Sequence, residues 1–278
     1  MSTAIILAAV MVVGTGIVIG ILLGLAGKAF YVETDPKEVA VREVLPGNNC
    51  GGCGYPGCDG LAAAIAKGEA PADGCPVGGA PVAAKVGEIM GEAVGNKRKM
   101  VAFVHCGGDC EKSRIQYTYT GIEDCAMMAY VPNGGSKICN NGCLGFGNCV
   151  KACPYGAIAI EDGVAKVDHE KCVGCMTCAA ACPRGIIEEV PYDQDIVVAC
   201  SSKEKGAALR KFCDIGCIGC KLCEKTCPND AIHVVDNLAS IDYTKCTSCS
   251  ACAEKCPRHL IADANLKTEF NIVEAKAR

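Results

Sequence analysis

Cysteines recur along this chain at spacings that suit metal ligation. Three runs share the pattern C-x2-C-x2-C-x3-C-P. This is the spacing with which bacterial proteins hold [4Fe–4S] clusters through cysteine thiolates. Threefold repetition is implausible by chance and predicts iron–sulfur chemistry. The three runs are Cys172, Cys175, Cys178 and Cys182; Cys217, Cys220, Cys223 and Cys227; and Cys246, Cys249, Cys252 and Cys256.

The runs belong to an internal repeat. Shifting the chain so that Cys172 falls on Cys246 also places Cys143, Cys149 and Cys153 on cysteines of the second copy. Each copy therefore predicts one two-cluster ferredoxin-like module, with short strand hairpins at 157–167 and 231–242 and a short helix after each cysteine run. In such ferredoxins the fourth cysteine of a run ligates the other cluster. The predicted groups are Cys139, Cys143, Cys149 and Cys182; Cys153, Cys172, Cys175 and Cys178; Cys217, Cys220, Cys223 and Cys256; and Cys227, Cys246, Cys249 and Cys252.

The two copies differ at one ligand position. Phe146 stands where the second copy has Cys220. If the first module still holds two clusters, Cys139 must supply the missing thiolate, and its counterpart Cys213 is then spare. The alternative is that Cys213 coordinates a cluster and another thiol of the second module is free.

A further cysteine group precedes the repeat, with the spacing Cys50-x2-Cys53-x4-Cys58-x16-Cys75. Glycines among the first three thiols allow sharp turns around a compact cluster. Zinc is the alternative, but zinc sites favour paired C-x2-C knuckles, so this group predicts another [4Fe–4S] cluster. Between its thiols, residues 59–68 predict a short helix. Residues 76–99 are interpreted as a linker.

Some cysteines remain after these assignments. The segment that ends in Cys106 resembles the one that ends in Cys200, and each is interpreted as a buried strand. This resemblance extends the repeat upstream of its cysteine runs. Packing as small buried residues is the first interpretation of the remaining thiols. A sixth metal site using some of Cys106, Cys110 and Cys125 is the alternative. The remaining cysteines, all candidates for additional metal ligation, are Cys106, Cys110, Cys125, Cys200 and Cys213. The prediction is thus at least five [4Fe–4S] clusters, with a sixth as the open alternative.

The N-terminal segment predicts a single membrane-spanning helix. Ala4 to Ala26 is an uncharged apolar run, followed by Lys28. As a helix it would extend ~35 Å, enough for a bilayer core of ~30 Å. A cleaved signal peptide is the alternative, but no basic residue precedes the run. Gly16, Gly20 and Gly24 form a small-residue face suited to helix packing in membranes. The positive-inside tendency and the need for reduced thiols place the remaining chain on the cytoplasmic side of the cell's cytoplasmic membrane.

Composition excludes several classes of protein. The chain has 278 residues with 25 cysteines, 33 glycines, no tryptophan and a formal net charge of −4. An odd cysteine count argues against a complete disulfide framework. The weak charge and the absence of a basic block with aromatics argue against nucleic-acid binding. The expected fold class is α+β: one N-terminal transmembrane helix, a small [4Fe–4S] domain, then two tandem two-cluster ferredoxin-like modules. The predicted boundaries are 1–30 for the anchor, 31–95 for the small domain, 96–135 for a connecting segment, 136–192 and 193–265 for the modules, and 266–278 for a C-terminal tail.

In this order, the anchor, the early cysteine group and the modules resemble the B subunits of Rnf complexes. The runs Cys50-Gly-Gly-Cys-Gly-Tyr-Pro-Gly-Cys58 and Cys139-Asn-Asn-Gly-Cys-Leu-Gly-Phe-Gly-Asn-Cys149 carry the resemblance most closely. The second module is a departure from short family members. The resemblance implies an electron-transfer subunit of an ion-translocating ferredoxin:NAD oxidoreductase, with soluble ferredoxin as donor and other membrane subunits as partners. No Gly-rich dinucleotide motif is seen, so flavin and NAD are expected on those partners.

No independent catalytic site is expected on the chain itself. The alternative function is that of a polyferredoxin-type donor subunit for a different membrane or cytoplasmic reductase. A basic stretch near the second module is the candidate docking site for an acidic ferredoxin. Its members are Lys203, Lys205, Arg210 and Lys211.

Overall fold

A long apolar helix precedes the folded part of the chain. The computed structural model describes residues 2–29, 35–95, 98–194 and 196–263; the predicted tail at 266–278 lies outside these residues. Helix α1, Ser2–Ala29, is built from Ala, Val, Ile, Leu and Gly. Within it, Val10–Lys28 has a mean hydropathy of 2.4 and none of its side chains is buried. Among the described residues it is the one helix long and apolar enough to cross a membrane.

A three-helix domain follows, consisting of α2 (Pro36–Val44), α3 (Gly57–Ala66) and α4 (Gly79–Met90). Asp35 caps α2 by accepting a hydrogen bond from the Lys37 amide at 2.8 Å, the preferred chemistry at a helix start. The core buries Val41, Leu61, Ile65 and Val86. The helix predicted at 59–68 is confirmed. The linker predicted at 76–99 is wrong, because residues Gly79–Met90 form α4, which buries Ala83 and Val86, and Val86 belongs to the same apolar core as Val41 and Leu61.

The first module starts upstream of its cysteine runs. The segment interpreted as a connector, 96–135, contributes β1, which pairs antiparallel with β4 from Val104 opposite Ile187 to Met100 opposite Pro191. The predicted hairpin is confirmed as β2 and β3. The elements are β1 (Met100–Val104), two 3-10 turns (Ala126–Tyr130 and Pro132–Gly134), α5 (Asn148–Ala152), β2 (Ile158–Glu161), β3 (Val164–Val167), α6 (Thr177–Ala180) and β4 (Ile187–Pro191).

The second module repeats this plan. Strand β5 pairs antiparallel with β8 as β1 pairs with β4, and β6 pairs with β7 in the predicted hairpin. The strand predicted before Cys200 is therefore present, as is the one before Cys106. The elements are β5 (Ile196–Val198), α7 (Gly206–Leu209), α8 (Leu222–Thr226), β6 (Ile232–Val235), β7 (Leu238–Ile241), α9 (Ala251–Glu254) and β8 (Ile261–Asp263).

The cores of both modules are assembled around thiols. Cysteines are buried together with small aliphatic residues, such as Val101 and Ile158 in the first module and Ile196 and Ile232 in the second. All sheets among the described residues have two strands. Because such hairpins are marginal on their own, the scaffold depends on what its thiols bind.

Candidate iron–sulfur centres

The second module contains two cavities, each lined by four thiols. Cys217, Cys220, Cys223 and Cys256 line one of about 330 Å³. Cys227, Cys246, Cys249 and Cys252 line one of about 340 Å³. In each cavity three thiols come from one run and the fourth comes from the other run. The structure therefore brings together both sets that the sequence grouped.

Backbone geometry in this module directs amides towards sulfur. Lys221 and Ser250 precede α8 and α9 with φ of 60° each, so the chain turns sharply before each helix. The Ala231 amide donates a hydrogen bond to Cys227 Sγ at 3.3 Å. Amides aimed at sulfur are one of the levers by which proteins stabilise and tune iron–sulfur clusters.

The first module reproduces one of these groups. Burial raises the pKa of Cys178 to about 11, and the neighbouring thiols of Cys172, Cys175 and Cys153 add to the shift. The Ala157 amide donates to Cys153 Sγ at 3.4 Å, in the position that Ala231 occupies in the second module. The predicted set of Cys153, Cys172, Cys175 and Cys178 is thus assembled in space.

The other group of the first module differs from the set that the sequence predicts. Its cavity of about 360 Å³ is lined by Cys143, Cys149, Cys182 and Cys125. Burial raises the pKa of Cys149 to about 12, with Cys143, Cys125 and Cys182 adding to the shift. Cys125 therefore occupies the place that the sequence analysis gave to Cys139.

A clamp of hydrogen bonds holds Cys125 in this place. Its amide donates to Asn148 Oδ1 at 3.0 Å, and Asn148 Nδ2 donates to Asp124 Oδ1 at 3.0 Å. Asn148 begins α5, so the clamp ties the loop directly to the helix that carries Cys149. The Phe146 ring, at the position of the missing thiol, packs against Tyr119 of the same loop with centroids 5.8 Å apart. The internal repeat could not reveal this ligand, because its loop has no counterpart in the second copy.

Cys139 lies elsewhere, in a cavity of about 350 Å³ that it shares with Cys106, Cys200 and Cys213. Packing was the first interpretation of those three thiols, but the structure brings them together. The remaining candidate, Cys110, is exposed. Its amide donates to the Asp162 carbonyl at 2.8 Å, and its thiol lines none of the four cavities described here.

The N-terminal domain assembles the early cysteine group beside the first module. Burial raises the pKa of Cys75, and the thiols of Cys58 and Cys53 add to the shift. The Gly78 amide donates to Cys75 Sγ at 3.4 Å. Cys50 lies close enough to Tyr155 of the first module to contribute, after burial, to the raised pKa of that phenol. Cys53, Cys58 and Cys75 therefore lie near one another, and both Cys50 and Cys75 lie near Tyr155 of the first module.

Direct contacts fix this arrangement. Asn48 Nδ2 donates to the Tyr155 hydroxyl at 2.9 Å. Gly52 lies so close to the first module that a Cβ there would sit 2.6 Å from the Cys175 carbonyl oxygen, so only glycine fits. The early group and the Cys175 group are therefore immediate neighbours.

The donor set fits iron–sulfur clusters better than single ions. Within the described residues, no three His, Cys, Asp or Glu side chains converge tightly enough to hold one metal ion. A zinc site would draw four thiolates to about 2.3 Å from a single centre. A cubane instead keeps its thiolates apart around a bulky inorganic core, and the four thiols that line each of these cavities do so without converging on one point.

The basic stretch lies on the surface of the second module. Lys205, Arg210 and Lys211 are exposed at the ends of α7, whereas Lys203 pairs with Asp236 at 3.7 Å. The helix packs closely on the loop that carries Cys220, since a Cβ on Gly206 would lie 2.5 Å from the Ile218 carbonyl oxygen. Cys220 is itself exposed. The positive charges thus border the most accessible edge of one four-thiol group.

Comparison with protein families finds iron–sulfur families over the regions that contain most of these thiols. Residues 45–77 match the family "Putative Fe-S cluster". Residues 138–186 and 216–261 each match a "4Fe-4S dicluster domain" family, and another dicluster family matches 170–232 across the boundary between the modules. None of these matches covers Cys106 or Cys125.

Curated relatives match nearly the whole chain. The B subunit of the Na(+)-translocating ferredoxin:NAD(+) oxidoreductase complex of Acetobacterium woodii is 49% identical over 89% of this chain and 74% of its own length. The B subunit of the proton-translocating ferredoxin:NAD(+) oxidoreductase complex of Clostridium ljungdahlii is 46% identical over 92% of this chain and 91% of its own. The B subunit of the ion-translocating oxidoreductase complex of Methanosarcina acetivorans is 41% identical over 94% and 99%. The chain therefore belongs to the family of B subunits of Rnf-type ion-translocating oxidoreductases, as an iron–sulfur electron-transfer subunit.

Proposed function

We propose that this subunit accepts electrons from reduced ferredoxin and relays them to the other redox subunits of an ion-translocating ferredoxin:NAD oxidoreductase. Bound [4Fe–4S] clusters would supply one-electron carriers, while the chain holds them in order. The proposed ligand sets are Cys50, Cys53, Cys58 and Cys75; Cys153, Cys172, Cys175 and Cys178; Cys125, Cys143, Cys149 and Cys182; Cys217, Cys220, Cys223 and Cys256; and Cys227, Cys246, Cys249 and Cys252.

One observation carries the proposal: the four-thiol groups adjoin one another from the N-terminal domain into the first module. Gly52 packs on Cys175, which joins the early group to the first module. Within that module, helix α5 carries Cys149 of one group and is followed directly by Cys153 of the other, so one short helix links the two groups. In the second module α8 likewise carries Cys223 and is followed directly by Cys227. Neighbouring groups of this kind suit a relay of electrons.

Electrons from ferredoxin are proposed to enter at the second module. The exposed charges of Lys205, Arg210 and Lys211 border the loop of exposed Cys220. An acidic donor would be steered to this edge by long-range attraction, which acts on the association rate and weakens with salt.

Charge reversal tests this entry point. The triple variant Lys205→Glu, Arg210→Glu, Lys211→Glu is expected to slow reduction of the chain by ferredoxin at least ~10-fold at low ionic strength. The difference should shrink in high salt, because exposed charges are screened. The matched control is Lys85→Glu, a reversal at an exposed lysine of the three-helix domain. Equal rates for the triple variant and the control at low salt would reject the docking site.

Helix α1 is proposed as the membrane anchor, with the cluster-bearing part on the cytoplasmic side. Its large apolar side chains are mostly exposed, for instance Leu7 at 69% and Val12 at 71%. Leaving this surface in water is unfavourable by roughly 25 cal/mol per Å², so a lipid environment is the natural partner. The N-terminal domain follows the helix in sequence, so the early cysteine group is proposed to lie nearest the membrane subunits.

Deleting residues 1–29 is expected to release the chain from membranes without loss of iron. None of the proposed ligands lies in the deleted segment. The measurement is the distribution of the protein between membrane pellet and supernatant, with iron per chain determined in each fraction. The full chain should pellet and the shortened chain should stay in the supernatant. A shortened chain that still pelleted in detergent-free buffer would show that another surface binds the membrane.

The proposed function is tested directly by mixing the anaerobically purified chain with reduced ferredoxin. Rapid bleaching of its visible absorbance is expected, without release of any product. The chain alone should not reduce NAD. A chain that stays oxidised in the presence of excess reduced ferredoxin would contradict its role as the point of electron entry.

A further inference from the structure

Four thiols outside the ferredoxin-like groups meet where the two modules touch. Cys106, Cys139, Cys200 and Cys213 line a cavity of about 350 Å³. This volume falls between those of the proposed cluster sites in the same chain, which are about 330, 340 and 360 Å³. The cavity thus has the size and the donor number of its neighbours.

The four thiols form two repeat-related pairs. Cys106 and Cys200 follow the equivalent strands β1 and β5, and the strand ends are joined where the Gly107 amide donates to the Ala199 carbonyl at 2.9 Å. Cys139 and Cys213 occupy the same position in the two copies of the repeat. Each module therefore contributes one thiol that follows a strand and one from the repeat position of Cys139 and Cys213. Neither module holds all four thiols by itself.

The surroundings suit a buried anion. The Cys143 amide donates to Cys106 Sγ at 3.3 Å, and the Cys217 and Ser202 amides donate to Cys200 Sγ at 3.4 Å each. Such amide–sulfur bonds recur at the proposed sites in both modules. Lys137, only 7% exposed, also lines the cavity and donates from Nζ to the Gly108 carbonyl at 2.9 Å. A buried ammonium group beside four thiols offsets the negative charge that a thiolate-bound cluster carries.

From these observations we propose that Cys106, Cys139, Cys200 and Cys213 hold a sixth [4Fe–4S] cluster, which bridges the two modules. The inference of a metal site stands on these residues, and its role as a bridge rests on the proposed relay function. The position of the four thiols between the two modules supports the bridging role. Cys106 is bonded by the amide of Cys143, and Cys200 by the amide of Cys217. Those two amides belong to ligands of the facing groups in the first and the second module.

An electron crossing the bridge leaves a cluster of one module and enters that of the other. Each step oxidises one centre by one electron and reduces the next by one, and no bond forms or breaks. Reduced ferredoxin is the source of the electron, and a redox partner at the membrane receives it. Without a centre in this cavity, no electron carrier would lie between the facing thiol groups of the two modules.

The metal site is tested by iron and acid-labile sulfide content in the anaerobically purified, reconstituted full chain. The wild-type chain should hold about 24 iron atoms, and Cys200→Ala and Cys213→Ala should each hold about 20. Cys110→Ala is the matched control, because this thiol lies outside the cavities, and it should keep the wild-type content. Native mass spectrometry of the wild-type chain provides a reading that does not depend on a variant folding.

The outcomes separate this inference from the proposed function. A wild-type chain with about 20 iron atoms, unchanged in Cys200→Ala, would overturn the sixth cluster and leave the five-cluster relay intact. A wild-type chain with zinc and no sulfide would overturn both.

The bridging role has its own readout. On mixing with excess reduced ferredoxin, the wild-type chain should bleach in one rapid process. Cys200→Ala should bleach only in part at that rate. The clusters on the far side of the bridging site, in the first module and the N-terminal domain, should be reduced at least ~10-fold more slowly. A Cys200→Ala chain that lacks about four iron atoms but bleaches completely at the wild-type rate would overturn the bridge and leave the metal site in place.

Discussion

Replacing Cys125 by alanine is expected to remove about four iron atoms from the purified chain, since a [4Fe–4S] cluster lost from its site takes all its iron with it. The structure puts this thiol, and not Cys139, beside Cys143, Cys149 and Cys182. The loss should be confined to one centre of the first module, and iron and sulfide should fall together. Iron content and the spectrum of the reduced protein provide the measurement.

A second substitution makes the test specific. Phe146 stands at the repeat position of Cys220, which lines the equivalent cavity of the second module. Phe146→Cys in the Cys125→Ala background recreates the run C-x2-C-x2-C and should restore the missing iron. Cys110→Ala serves as the control for loss of a thiol from the same part of the chain. If Cys125→Ala kept its full iron content, the assignment of Cys125 would be wrong and that of Cys139 would be reopened.

Removing the iron with a strong chelator under reducing, anaerobic conditions is expected to unfold both ferredoxin-like modules and largely spare the three-helix domain. The modules have helices of only 4 or 5 residues and two-stranded sheets. Helices and hairpins this short are marginal in water. In such small domains the free energy of metal binding becomes free energy of folding.

Hydrogen exchange resolved along the sequence measures this difference. Amides of the hairpins at 158–167 and 232–241 should lose their protection when iron is removed. Amides of α3 should keep more of theirs, because Leu61 and Ile65 remain buried against α2 and α4. Reconstitution with iron and sulfide should restore the hairpin protection. Full protection of the hairpins in the iron-free chain would show that the modules fold without clusters.

Much of this arrangement could be predicted from the sequence, because cysteine spacing and repetition are local signals. The runs ending in Cys182, Cys227 and Cys256 specify the ferredoxin-like plan, and the hairpins between them follow. The helix α4 was missed because Gly and Pro among residues 76–90 resemble a linker. Burial of Val86 in the core of the three-helix domain outweighs the weak helix propensity of those two residue types.

The ligand sets that depend on distant chain segments could not be predicted from the repeat alone. Cys125 comes from a loop present in only one copy, and its place depends on the Asn148 clamp. Cys106 and Cys200 follow strands of different modules, and the ends of these strands are joined by the hydrogen bond from the Gly107 amide to the Ala199 carbonyl. Their convergence is a property of tertiary structure, although the resemblance between the two strand ends was already visible in the sequence.

The central claim is that the thiols of this chain hold cubane iron–sulfur clusters arranged as a relay. Its most direct test is the iron, zinc and acid-labile sulfide content of one anaerobic preparation of the full chain. Iron and sulfide are expected in equal amounts, at about 20 atoms or more of each per chain, with only traces of zinc. A preparation that carried zinc without sulfide, or whose thiols were joined in disulfides, would contradict the account.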